Sequence, residues 1–229
     1  MSAPIVAIDG PAGAGKSTVA RQLAHRLGFT MIDTGAIYRS VALAAQRAGV
    51  SWDDDEGLAR LLHGGMELVF QGDRVLLTGE DVSEAIRTPG MSRGASVVSA
   101  RPVVRRELLQ LQRDLGRHAR RGAVLEGRDI GTVVFPDAEV KFFLTASDEA
   151  RAARRHAELL EKGLDVPLAE VLADQRRRDR DDSERAIAPL KAAPDAIRVE
   201  TTGIDLQEVV EHCFREASIR LTHLMPGQP

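Results

Sequence analysis

The residues Gly10-Pro11-Ala12-Gly13-Ala14-Gly15-Lys16-Ser17 fit the spacing G-x-x-x-x-G-K-[ST] at every fixed position. Glycines placed this way let the main chain curl until consecutive N–H groups point inward, forming a nest for phosphate oxygens. A helix beginning at Lys16 would aim the positive end of its dipole at the same place. Lys16 could then reach the β- and γ-phosphates of ATP, and the Ser17 hydroxyl could ligate Mg²⁺, with Thr18 completing the phosphate-binding set. The flanks agree, with an apolar run (PIVAID, residues 4–9) leading in and an amphipathic stretch leading out.

Such a loop states what is bound and leaves its use open. The chain contains no Asn, so it has no Asn-Lys-x-Asp guanine reader. It also lacks an L-S-G-G-Q signature, and no strand ends in four apolar residues followed by paired acids. A small-molecule kinase remains. Bringing a polyphosphate to a second phosphate requires fixed cations, and they occur at suitable places. Arg39 follows the second expected strand, Arg128 follows the third, and residues 174–185 read DQRRRDRDDSER, five arginines among five acids. That stretch is either a solvated helix face laced with i,i+4 pairs or a lid whose arginines close over the transferring phosphates.

The elements that must position these groups read as an alternation. Strands are expected at 4–9, 29–33, 123–126, 139–145 and 196–201, and helices at 16–27, 36–48, 51–62, 101–120 and 165–180, with a last one from Leu206. Gly28 and Gly49 are placed to end two helices, and Thr145 with Asp148 resembles a capping box. The pattern predicts an α/β fold, a P-loop NTPase-type five-stranded parallel sheet flanked by helices. Loops after parallel strands open onto one edge, so GPAGAGKS, DTGAIYR and EGRDIGT can build one site. Residues 66–80, with a QGD turn, read as an antiparallel hairpin inserted into the alternation. The tail after Arg220 is expected to be disordered.

Composition bounds the rest. The net charge of −3 argues against a general nucleic-acid binder. Of 31 basic residues 27 are Arg, which suits phosphate but fits coding bias equally well. No run of about 18 apolar residues occurs, so no membrane span is expected. Met1-Ser2-Ala3-Pro4 has no signal-peptide pattern, and the single Cys213 is expected on the buried face of the last helix, all consistent with a cytoplasmic protein.

DGPAGAGKST, DTGAIYR, TGEDVSEAIRT, EGRDIGTVVFPDA and ERAIAPL, in this order, closely resemble the bacterial cytidylate kinases, from about Pro4 to Arg220. The resemblance implies an inserted small α/β NMP-binding domain at about 63–100 and a short helical lid at about 173–186. The core would then comprise about 1–62, 101–172 and 187–220. It implies ATP and Mg²⁺ acting on CMP and dCMP, in a monomer with no nucleic-acid or membrane partner. Thr34, Tyr38, Arg39 and Arg128 would surround the acceptor phosphate, Ser96, Arg105 and Asp129 would face cytosine, and Arg178, Asp182 and Arg185 would contact ribose and phosphates. Lys16, Arg39, Arg128, Arg178 and Arg185 would be the catalytic cations. Thr34 stands where the family often has Ser, and Glu126 where Asp is common; whether Glu126 or Asp33 helps to hold Mg²⁺ is open. Without the resemblance, Ser96 reads as a turn or cap residue, Arg105 as surface charge and Tyr38 as core. The residues alone also allow another acceptor (UMP, shikimate or a dephospho-cofactor) or a non-catalytic ATP-binding regulator.

Overall fold

The computed structural model of the chain describes residues 3–72 and 74–222. In chain order the elements begin with β1 (Ile5–Asp9), α1 (Lys16–Leu27), β2 (Thr30–Asp33), α2 (Thr34–Arg47) and α3 (Asp55–His63). Next come β3 (Leu68–Gln71), β4 (Arg74–Leu77), β5 (Glu80–Asp81), α4 (Pro89–Ser99) and α5 (Pro102–Arg117). The remainder is β6 (Ala123–Gly127), β7 (Val140–Thr145), α6 (Asp148–Glu161), α7 (Leu168–Glu184), β8 (Ile197–Glu200) and α8 (Leu206–Leu221). The chain divides into two compact units, Met1–Ile32 with Leu115–Pro229, and Asp33–Asp114.

The larger unit is built on a parallel sheet of order β2-β6-β1-β7-β8, helices flanking it. Strand β1 lies between β6 and β7, with Ile8 opposite Glu126 on one side and Phe142 on the other. All five of its residues are buried, as a central parallel strand covered on both faces requires. Val19, Leu23 and Leu27 of α1 pack with Val6, Ile8, Phe142 and Leu144 of the sheet and with Val209, Val210 and Cys213 of α8. Cys213 is buried, and burial pushes its thiol up to about 12. Gly28 ends α1 in the left-handed conformation its position predicts.

The smaller unit holds α2 packed on α4 and a three-stranded antiparallel sheet, β3-β4-β5. The expected hairpin is present, with Leu68 opposite Leu77, and gains β5 as a third strand. Helix α4 is not foreseen in the sequence reading, although Thr88 accepts from Met91 N as its cap and Pro89 occupies its first turn. Because α2 packs on α4, this unit reaches from Asp33 to Asp114.

Two local expectations are corrected. Thr145 does not cap α6: it is still paired in β7, opposite Glu200, and Ser147 accepts from Ala150 N instead. The charge-rich stretch 174–185 forms the C-terminal part of α7 and its capping residue, Arg185. Helix α8 runs to Leu221, past Arg220, and Leu221 is buried. The rest of the tail, residues 223–229, lies outside the described residues, as does Asp73 of the QGD turn.

Candidate active site

The phosphate loop joins β1 to α1 in the larger unit. Its first glycine is obligatory: Gly10 has φ 147°, and a Cβ there would stand 2.0 Å from the Leu144 carbonyl oxygen. The loop therefore lies hard against β7. Lys16 is buried, and its Nζ donates to the Pro11 carbonyl at 2.7 Å, inside the curl of the loop. Burial, and then the neighbouring Arg128, bring its ammonium down to about 7. A buried cation in basic surroundings is a place for a polyanion. Ser17 Oγ donates to Glu126 Oε2 at 2.8 Å. A hydroxyl beside a buried carboxylate is the oxygen-donor pair that a hard cation such as Mg²⁺ favours. Asp33, the other candidate, is engaged in the smaller unit with Ala36 N and Arg39.

Helix α6 braces this loop from outside. Arg151 donates to the Ala12 carbonyl at 3.0 Å, and Arg154 reaches the Gly13 carbonyl at 3.4 Å and the Thr201 carbonyl at 2.6 Å. Arg151 also holds Asp148 of its own helix and Asp179 of α7. Sequence reading missed both arginines, since nothing in DEARAARRH marks two of its three arginines as loop supports.

The turn after β6 carries Arg128 and Asp129. Arg128 Nε donates to Asp182 Oδ2 at 3.0 Å, and Arg185 Nη2 lies 3.5 Å from Asp129 Oδ1 and its Nη1 3.8 Å from Asp182 Oδ1. Arg185 also donates through Nε to the carbonyl of Ala188 at 2.6 Å; Ala188 takes a positive φ of 50°, rare for a residue with a side chain. Burial opposes the charge on Asp182, but Arg128, Arg178 and Arg185 outweigh it and hold its carboxyl below the usual range. Arg178 acts on Lys16 as well as on Asp182. The structure thus gathers Lys16, Ser17, Arg128, Asp129, Arg178, Asp182 and Arg185, from the start of α1, the turn after β6 and the end of α7, within one unit.

The remaining candidates lie in the smaller unit. Thr34 opens α2 and is buried. One turn on, Arg39 donates to Asp33 Oδ2 at 2.7 Å, and its Nε is buried with no hydrogen-bond partner. Tyr38 is buried and accepts at Oη from Gln112 Nε2 at 3.4 Å, while the Arg105 guanidinium stands 5.8 Å from its ring centre. Arg105 is itself buried, against the surface reading, and donates to the Ser99 carbonyl at 3.0 Å. Ser96 lies half-buried in α4, away from the helix cap at Thr88.

A parallel sheet, a phosphate loop holding a buried lysine, and a cluster of arginines and carboxylates beside it define a P-loop phosphotransferase. The sequence model of the family described as cytidylate kinase matches residues 6–218. A cytidylate kinase of Geobacter sp. (strain M21) is 53% identical over 221 residues, covering 95% of this chain and 94% of its own. Another, from Geobacter sulfurreducens, is 54% identical over 211 residues, with 90% and 89% covered. At the level of fold, an uncharacterised protein from Eubacterium ventriosum has a TM-score of 0.51 at 12% identity, over 93% of this chain and 97% of that one. The chain belongs to the cytidylate kinase family.

Proposed function

We propose that this chain transfers the γ-phosphoryl group of ATP to CMP, and to dCMP, giving ADP with CDP or dCDP. The observation that carries the reading is the joining, in one unit, of the Lys16 loop to the Arg128–Asp129 turn and the Asp182–Arg185 pair. Gly10 to Thr18 (Gly10, Pro11, Ala12, Gly13, Ala14, Gly15, Lys16, Ser17 and Thr18) bind the ATP phosphates. Ser17, with Glu126 behind it, would hold Mg²⁺, which when bound supplies charge neutralisation at the β- and γ-phosphate oxygens.

The acceptor phosphate is assigned to Thr34, Tyr38, Arg39 and Arg128, and ribose and phosphate contacts to Arg178, Asp182 and Arg185. Ser96, Arg105 and Asp129 read the base. A carboxylate at Asp129 can accept from the N4 amino group of cytosine, where uracil would bring an O4 acceptor and be repelled. An oxygen of the acceptor phosphate attacks the γ-phosphorus in line. That oxygen is anionic at neutral pH, so no general base is called for. Lys16, Arg39, Arg128, Arg178 and Arg185 hold the two anions together and stabilise the charge of the transition state. The proposal extends to a cytoplasmic monomer whose partners are nucleotides. The net charge of −3 speaks against nucleic acid, and among the described residues no helix is long and apolar enough to cross a membrane.

A panel of acceptors in a coupled ADP-release assay tests the reading. CMP and dCMP should stimulate ADP release well above UMP, shikimate or a dephospho-cofactor. Preference for one of the others moves the acceptor assignment, and ATP binding without stimulation by any acceptor makes the chain a regulator.

A further inference from the structure

Asp9 has no part in the chemistry above, yet it is among the most buried charged groups of the larger unit, 4% exposed. It closes β1 immediately before Gly10. Each of its oxygens accepts one main-chain N–H, Oδ1 from Ile130 and Oδ2 from Gly131, both at 2.8 Å. Those two residues open the π-turn Ile130–Val134, and Arg128 and Asp129 stand directly before it. From the other side the turn is pressed by Lys141 of β7. A Cβ on Gly131 would lie 3.1 Å from Lys141 Cδ and 3.4 Å from Asp9 Oδ2, so the space holds a glycine and little more. Lys141 is fixed in turn by the Pro136 carbonyl and by Asp195.

We propose that Asp9 is a positioning residue for the acceptor base. By clamping the amides of Ile130 and Gly131 it sets the direction in which Arg128 and Asp129 leave β6, and with it the selectivity for cytosine over uracil. This rests on the assignment of Asp129 and Arg128 to CMP made above.

The chemistry of the clamp is specific. A carboxylate offers two acceptors and no donor, which is what two adjacent N–H groups need; an amide offers one acceptor and would turn its own NH₂ toward the second N–H. Burial pushes the Asp9 carboxyl up to about 6, against the two amides that lower it, with Asp129 adding to the rise and Lys16 opposing it. At neutral pH the group is still ionised and meets both amides, at a cost that an apolar residue would not impose on the fold.

The test is Asp9→Asn, with CMP, UMP and ATP kinetics, calorimetric CMP binding and thermal unfolding measured on the same material. The expected result is a KM for CMP raised on the order of tenfold and a CMP-to-UMP ratio of kcat/KM lowered by a similar factor, the KM for ATP changing much less. Calorimetry should show the same weakening for CMP without ATP. Equal changes in both KM values, or a lowered Tm with nucleotide selectivity intact, would make Asp9 a merely structural residue and overturn the proposal. If Asp9→Asn fails to fold, Gly131→Ala decides, since it crowds the same clamp while keeping the carboxylate. It should raise the KM for CMP selectively, and unchanged selectivity there overturns the idea. A wild-type chain that ignores CMP would instead overturn the acceptor assignment and this proposal with it, a failure visible before any variant is made.

Discussion

Lys16 illustrates how much a single side chain reveals about its site. Its amine sits in the curl of the loop on the Pro11 carbonyl, with Arg128 and Arg178 near enough to press on its charge. A polyphosphate relieves that pressure. Lys16→Ala should therefore lower kcat/KM by roughly 10²–10³-fold, the range for loss of one preorganised charge donor, while circular dichroism stays that of the wild type. Near-normal turnover would remove Lys16 from the mechanism. Asp9 gives a pH dependence of defined sign. Its folded pKa of about 6 exceeds the ordinary 3.8, so between those values the folded chain holds more protons than the unfolded one. Its contribution to stability is thus present at low pH and lost as pH rises through the window. In urea unfolding, the stability difference between wild type and Asp9→Asn should shift toward the wild type as pH falls from about 7 to about 5. A shift in the other direction contradicts the buried, ionised carboxylate.

Among the elements, α7 is the one whose two sequence readings the ion pairs bear on most directly. The charge-rich stretch 174–185 looks in sequence like either a solvated face or a lid, and the helix carries charges on both its outer and its inner side. Arg176 and Arg177 point outward and pair with Asp148, Glu149 and Asp174, whereas Asp182 and Arg185 turn inward to Arg128 and Asp129. If the inward half closes on nucleotide, trypsin should cut after Arg176 and Arg177 readily in the free enzyme and several-fold more slowly with ATP and CMP together. Equal cutting with and without nucleotide would make α7 a fixed helix. The capping of α6 shows why boundaries were harder to read than elements. Thr145 and Ser147 are equally good cap residues, and only the pairing of β7 with β8 decides between them. Helix α4 escaped because GEDVSEAIRT and the Thr88-Pro89 start suggest turns, and its apolar face has meaning only against α2.

For the chain as a whole, what could be read in advance was what local chemistry dictates. The phosphate loop, the five strands of the parallel sheet and the basic residues after strands β2 and β6 are set by spacing and by apolar runs, and the structure has them where the sequence puts them. The supports of the site were not legible. Arg151 and Arg154 hold loop carbonyls more than a hundred positions away, and Asp9 holds amides at 130 and 131; such contacts exist only once the sheet has brought β1, β6 and β7 together. The packing of α2 on α4 was not legible for the same reason, since α2 looks like one more helix of the alternation until α4 is seen against it. The account stands or falls on where one phosphoryl group goes. With γ-labelled ATP and CMP, the label should appear at the β-position of CDP in a stoichiometry matching ADP, and the Lys16→Ala chain should transfer almost none. Label recovered as inorganic phosphate, with CMP unchanged, would contradict the account.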